Sequence, residues 1–356
     1  MRKFLLLSVV TLLALAWGGA QSFGASSAAL SRIIEGAKQE GQVAVTLDSK
    51  LAGKGIERLK KSIAERYGVN LQIDYAPVGS YPERLAKAIT ELKAGAAPSF
   101  DLMVFSDGIM SRAVSAGVGE KMDWKPLLDE GTPPEVIQFD GYALSTHTGH
   151  IGLIYNPAVI PPQDAPKSLK DLANPKWKGK LLVYSYTSSL LDYAFVLGVD
   201  KTLATLREIM KNNPVVDIYA RNFTRFMAGE YPIVLISSEF LPDTQRKGVP
   251  ARWVSPDISY IRIHSVMVTK GARHPNAAKL VAVYLSGPEG RKFMFEEAGA
   301  GSAFYPGNFE NDIDQEDRKL GLQVFNLLKS PGALDFATSE KGKQVDREIG
   351  KILQGR

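Results

Sequence analysis

The sequence runs to 356 residues with 45% hydrophobic and 23% charged side chains, globular proportions that exclude an intrinsically disordered chain. It contains no cysteine, which excludes disulfides, a catalytic thiol, a lipid attachment site and thiolate metal centres. The formal charge is +5 with a pI of about 9.1, but the Lys and Arg residues are scattered, so the concentrated basic footprint that nucleic-acid binding requires is missing.

Met1-Arg2-Lys3 is a short cationic start, and Phe4 to Trp17 is apolar apart from Ser8 and Thr11. With the small residues that follow, this is the layout of a cleaved secretory signal peptide over residues 1–20. The cut falls before Gln21 or, almost as well, after Gly24. Its loss takes Arg2 and Lys3 with it and lowers the formal charge from +5 to +3. The remaining ~335 residues are long for a single core and predict two domains. Ala29 to Glu40 has helical spacing, with Leu30, Ile33, Ile34 and Ala37 on one face, and Gly41 ends it. The buried strand "QVAVTL" follows, then an amphipathic helix from Gly55 to Tyr67 and the alternating strand "LQIDYAPV". A helix from Tyr81 to Lys93, the strand "DLMVFS" and a short helix from Gly108 complete a β-α-β-α-β alternation. That order predicts a mostly parallel sheet with helices on both faces.

After Gly141 come two strand-like runs, "YALSTH" and "IGLIYN", and a Pro-rich connection. Strands "KLLVYSY", "PVVDIYA" and "YPIVLISS" then alternate with helices at Leu190 to Gly198, Lys201 to Lys211 and Asn222 to Met227, forming a second α/β unit. "SYIRIHSVMVTK" reads as strand. Helices are expected at Pro275 to Tyr284, Pro288 to Ala298, Gln315 to Leu328 and Ser339 to Leu353.

Ligands of open α/β sheets sit outside the carboxyl ends of strands. Those ends are small and polar here: Asp48-Ser49, Gly79-Ser80 and Ser106-Asp107 in the first unit, and Thr187-Ser188, Arg221-Asn222 and Ser238-Glu239 in the second. Each can serve only as a helix cap. Six such ends together also suit a bound carboxylate or phosphonate, met by backbone N–H groups and by the planar fork of Arg221.

Several stretches carry a family resemblance. "EGAKQEGQVAVTLDS", "APVGSYPERLAKAITELKAGAAPSFDLMVFSD", "GLIYNPAVIPPQDAPKSLKDLANPKWKGKLLV" and "VTKGARHPNAAKLVAVYLSGPEGRKFM" resemble the iron-type extracellular solute-binding proteins of bacterial ABC importers, over most of Glu35 to Met294. The resemblance implies an α/β type II periplasmic binding protein, two lobes with hinge strands and a ligand cleft between them. Residues 21–146 and 258–356 are expected as the first lobe and 147–257 as the second. It also implies a periplasmic receptor that hands a small solute to an inner-membrane ABC permease; a monomer with no catalysis, no cofactor and no resident metal is expected. One departure bears on the ligand. Where ferric-binding members carry adjacent tyrosines, this chain has Ser238, Glu239 and Phe240. The expected solute is therefore a small organic anion or zwitterion, with ferric iron as the alternative.

Two of the four histidines, His147 and His150, flank Thr148-Gly149. On a strand, residues three apart point to opposite faces, so the pair does not form half a metal site. The resemblance places Thr148 and His150 near the cleft floor as ligand contacts and leaves His147 structural. An enzyme of the same compartment is the competing class, but the sequence has no Gly-x-Ser-x-Gly elbow, no His-Glu-x-x-His and no evident grouping of two His with a carboxylate. A ligand-sensing partner of a membrane signalling protein would share the same fold.

Overall fold

The computed structural model describes residues 27–355, so the signal-peptide reading and both cut positions lie outside the described residues. In chain order the strands are β1 (Gln42–Leu47), β2 (Gln72–Pro77), β3 (Leu102–Ser106), β4 (Ile137–Gln138), β5 (Ala143–Tyr155), β6 (Leu181–Tyr184), β7 (Val215–Asp217), β8 (Ile233–Ser237), β9 (Arg252–Val254), β10 (Ile258–Val268) and β11 (Gln323–Phe325). The helices are α1 (Ala28–Glu40), α2 (Lys54–Tyr67), α3 (Tyr81–Lys93), α4 (Asp107–Ser115), α5 (Thr187–Leu197), α6 (Val199–Met210), α7 (Tyr219–Met227), α8 (Leu241–Arg246), α9 (Pro275–Ser286), α10 (Pro288–Ala298), α11 (Phe309–Lys319), α12 (Ala333–Thr338) and α13 (Glu340–Leu353). Local chemistry sets their ends. Ser27 and Ser80 cap α1 and α3 by accepting from Leu30 N and Glu83 N, and Gly41 closes α1 in the left-handed conformation. Among the described residues no helix is long and apolar enough to cross a membrane.

One sheet runs through the molecule in the order β2-β1-β3-β10-β5-β8-β6-β7. Its two ends are parallel: β1 with β2 and β3, and β6 with β7 and β8. The middle is antiparallel, β3 with β10, β10 with β5 and β5 with β8. Strands β5 and β10 have 13 and 11 residues, about twice the usual length, and each serves both halves. The first part of β5 pairs with β10 and β4, whereas Ile151 to Tyr155 pair with β8. The two runs expected on either side of Gly149 are thus one strand, buried on both faces along its whole length.

Each half of the sheet is covered on both sides, and alternate residues show it. In the first half Val104 joins a core with Val45, Leu59 and Leu280, while its neighbours Met103 and Phe105 pack with Leu85 and Met110 on the other face. In the second half Leu181 and Val183 face Tyr193, Leu206 and Leu235, and Leu182 faces Phe223, Phe226 and Val234.

The C-terminal stretch departs from expectation twice. The helix expected over Gln315 to Leu328 stops at Lys319, because Gly321 adopts φ +75° and the following Gln323–Phe325 pairs in parallel with Ile258–Tyr260 of β10. Phe325 then packs edge-on against Tyr260. In addition Phe325, Leu327, Val345, Ile349 and Leu353 are buried in the same cluster as Leu153, Leu181 and Leu206. The last 30 or so residues, expected with the first unit, therefore bury their apolar faces in the core of the second.

Candidate functional site

The antiparallel register of β5 and β10 sets His147 directly opposite His264, and Gly149 opposite Arg262. Paired residues of neighbouring strands share a face, so both histidines project to one side. Their rings stack 4.4 Å apart at 6°. Glu239, from the tight turn Ser238–Phe240 after β8, reaches this pair: its Oε1 lies 3.2 Å from His147 Nε2 and 3.9 Å from His264 Nε2. The other ring nitrogens contact hydroxyls, His147 Nδ1 with Thr146 Oγ1 at 2.9 Å and His264 Nδ1 with Tyr81 OH at 3.2 Å. Gly149 makes room for the carboxylate. A Cβ there would stand 2.8 Å from Ser237 Oγ and 3.2 Å from Glu239 Cγ.

Burial works against ionising Glu239, yet the His147 contact, His264 and Lys50 outweigh it and hold its carboxyl well below the usual range. Burial, with His147 and Arg262 nearby, lowers His264 to about 3 despite the opposing charge of Glu239. The ring of His264 is therefore neutral at ordinary pH.

Arg262 lies two residues before His264 and so shares its face of β10. Its guanidinium donates to Ser189 Oγ at 2.7 Å and to Tyr260 OH at 3.1 Å, and the Tyr260 hydroxyl donates in turn to Asp192. Two buried carboxyls flank this cation. Burial raises Asp107 and lifts Asp192 to about 7, while the charge of Arg262 pulls both back. Asp107 Oδ1 accepts from its neighbour Gly108 N, but Asp107 Oδ2 is buried without a well-formed hydrogen bond, as are the hydroxyls of Tyr184 and Tyr219, which lie beside Ser189. Burial pushes the Tyr219 hydroxyl up to about 12. Asp107 comes from the first unit and Ser189, Tyr184 and Tyr219 from the second, so these groups meet between the two halves.

The residues expected at the site divide sharply. Asp107 and Glu239 belong to the two groups just described. Asp48 stands at their edge, where its carboxylate caps a turn by accepting from Lys50 N and its carbonyl accepts from Tyr75 OH. Ser49 and Gly79 are exposed, Ser80 is the cap of α3, and Ser106 lies opposite His264 at the start of α4. Thr148, His150 and Ser238 require correction. Strand alternation turns them to the face opposite His147, where Thr148 Oγ1 accepts from Ala303 N and His150 Nδ1 contacts Glu310 Oε2 at 2.6 Å. Ser238 Oγ accepts from His150 N and donates to Glu310. His147, expected to be structural, is the one that shares a face with His264 and Arg262.

In the loop before α5 it is Ser189, one residue beyond the expected Thr187-Ser188, that turns inward. Ser188 is exposed and Thr187 leans toward Gly350 of α13. Arg221 is 68% exposed and paired with Asp217 at the end of β7, and Asn222 is fully buried, its amide donating to the carbonyls of Val183 and Asp217. Arg221→Ala is accordingly expected to leave solute affinity within about twofold, as surface substitutions usually do, which titration calorimetry would check. Arg262, not among the residues expected at the site, is the arginine set among these groups. The sequence signal for it is the period-two string Tyr260, Arg262, His264 inside a mostly apolar strand, which puts three polar side chains on one face.

The profile of the family described as "Bacterial extracellular solute-binding protein" matches residues 59–307. Among solved structures, the chain superposes on the substrate-binding protein of an ABC transporter from Agrobacterium tumefaciens with TM-score 0.69 and 15% identity, covering 88% of this chain and 94% of that one. Iron-bound HitA from Pseudomonas aeruginosa gives 0.61 at 20% identity, covering 87% and 99%. AfuA from Actinobacillus pleuropneumoniae, with exogenous fructose-6-phosphate bound, gives 0.63 at 16%, covering 88% and 99%. A comparison with curated proteins found no match. These structures share the two-lobed periplasmic binding architecture, and the profile spans more than half the chain: the protein belongs to the bacterial extracellular solute-binding protein family.

Proposed function

We propose that the protein is the substrate receptor of an ABC importer, exported to the periplasm and acting as a monomer, which closes its two lobes on one small solute and releases it to a membrane permease without turnover. The lobes correspond to the two larger cores, with the C-terminal helices α12 and α13 assigned to the second and β5 and β10 as the hinge crossing. One observation supports this most strongly. Three buried polar atoms that lack a well-formed hydrogen bond, Asp107 Oδ2, Tyr184 OH and Tyr219 OH, gather around Arg262 from both lobes, the two hydroxyls beside Ser189. Buried polar groups are nearly always satisfied, so such a cluster between two lobes suits a polar guest.

The charges refine its chemistry. Arg262 suits a carboxylate or phosphonate by its fork, but Asp107 and Asp192 already face it, so the pocket holds more acid than base. A zwitterion, whose amine meets the carboxyls while its acid group meets Arg262, matches this better than a simple anion. Ferric iron fits less well, because Tyr184 and Tyr219 are both raised by burial and would have to ionise to bind it. Thermal-shift measurements with amino acids, aminophosphonates, organic acids, polyamines and ferric citrate, each in the presence of chelator except the last, test the reading. Stabilisation by a zwitterion with a fall in radius of gyration is expected. Stabilisation by ferric citrate alone would replace the organic-solute reading.

A further inference from the structure

We propose that His147, Glu239 and His264 form a binding site for one divalent transition-metal ion in the floor of the cleft. This rests on the reading of that space as a ligand cleft, and names a second occupant for it. The three ligand atoms come from β5, β10 and the turn after β8, and lie within 4.8 Å of one another. Neighbours in this group lie 92 and 25 positions apart in the chain and are brought together by strand pairing, which is why no linear motif shows them.

The orientation of the rings is what distinguishes this group from an ordinary ion pair. Metal-binding imidazoles almost always have their second nitrogen held by a hydrogen-bonding partner, which fixes the tautomer and aims the free lone pair. Both rings have this: Thr146 Oγ1 on His147 Nδ1 and Tyr81 OH on His264 Nδ1. Both free Nε2 atoms face the same carboxylate oxygen, Glu239 Oε1. His147 Nε2 is buried and, though 3.2 Å from that oxygen, makes no aligned hydrogen bond to it. The contact is close but poorly aligned, which places nitrogen and oxygen where one ion can bridge them. Gly149, by lacking a Cβ, leaves the space into which Glu239 folds.

The donor set selects the ion. Two imidazoles and one carboxylate suit Zn2+, Co2+, Ni2+ or Fe2+, whereas Mg2+ and Ca2+ prefer all-oxygen shells. Three protein ligands leave at least one position open. Arg262, two residues along on the same face, lies on the side from which an anionic group of a solute can fill it.

The test uses full-length mature protein without an affinity tag, stripped with chelator and titrated with Co2+ and with Zn2+. One Co2+ per chain with visible d–d absorption is expected. His147→Ala and His264→Gln should abolish the band. Tyr81→Phe, which removes only the hydroxyl behind His264, should weaken affinity by about 10–100-fold with the fold intact by circular dichroism. His274→Ala, whose ring pairs with Asp101 away from the cleft, should bind as wild type. No binding of either ion, or binding that survives both His147→Ala and His264→Gln, overturns the proposal. If a zwitterionic solute binds in chelator while Co2+ and Zn2+ do not bind, this inference fails and the receptor reading stands; Co2+ binding with the expected mutant pattern supports it whatever the solute panel shows.

Discussion

Arg262→Met is expected to abolish solute binding and to destabilise the folded protein by about 3–5 kcal/mol. The guanidinium contacts Ser189 and Tyr260 and faces the buried carboxyls of Asp107 and Asp192. Methionine fills much of the volume but leaves those carboxyls without their cation, the situation in which breaking a buried charge pair costs most. Adding Asp107→Asn and Asp192→Asn should restore most of the stability and none of the binding. A pH series separates these contributions. Asp192 is lifted by burial to about 7, above its unfolded value of ~3.9, so the folded state keeps a proton that the unfolded chain has released between those values. Its contribution to stability is therefore complete below about pH 4 and is lost as pH rises through about 7. Urea unfolding at pH 5 and pH 8 should show wild type losing stability across that window, with a smaller loss in Asp192→Asn. An equal slope in both would remove Asp192 as its source.

Glu310→Ala should cost a similar ~3–5 kcal/mol and leave solute affinity unchanged. Glu310 is fully buried on α11 and takes contacts from the ring and backbone N–H of His150 and from the hydroxyl of Ser238. Its removal leaves an imidazole and a hydroxyl unsatisfied where water cannot reach them. The pair sits on the face of β5 turned away from His147, so nothing in the cleft moves. Urea denaturation and calorimetry on the same preparation check both halves of this. If affinity fell while stability held, His150 would return to the cleft.

Strand alternation explains why part of the site was legible and part was not. The two α/β units and most element positions followed from hydrophobic periodicity and from capping residues such as Ser27, Ser80 and Gly41. The parity of His147 and His150 was legible too: three apart on a strand, they could not share a ligand. Which of the two shares a face with Arg262 was not, because that depends on β5 pairing with β10 in a particular register. The same register brings together His147 and His264, residues far apart in the chain. Arg221 looked right because it stands at a strand end, but helix α7 rotates it to solvent beside Asp217. Arg262 looked unremarkable because it lies within a strand. The C-terminal stretch misled because Gly321 interrupts an otherwise helical pattern, and the Phe325 side chain is drawn under Tyr260.

The central claim is that a small polar solute is held between the lobes at Arg262. Native mass spectrometry of wild-type protein and of the Arg262→Met, Asp107→Asn, Asp192→Asn triple variant, each equilibrated with the same panel of zwitterions and acids, tests it most directly. The account predicts one solute per chain on the wild type and none on the folded triple variant. An equal load on both would contradict it.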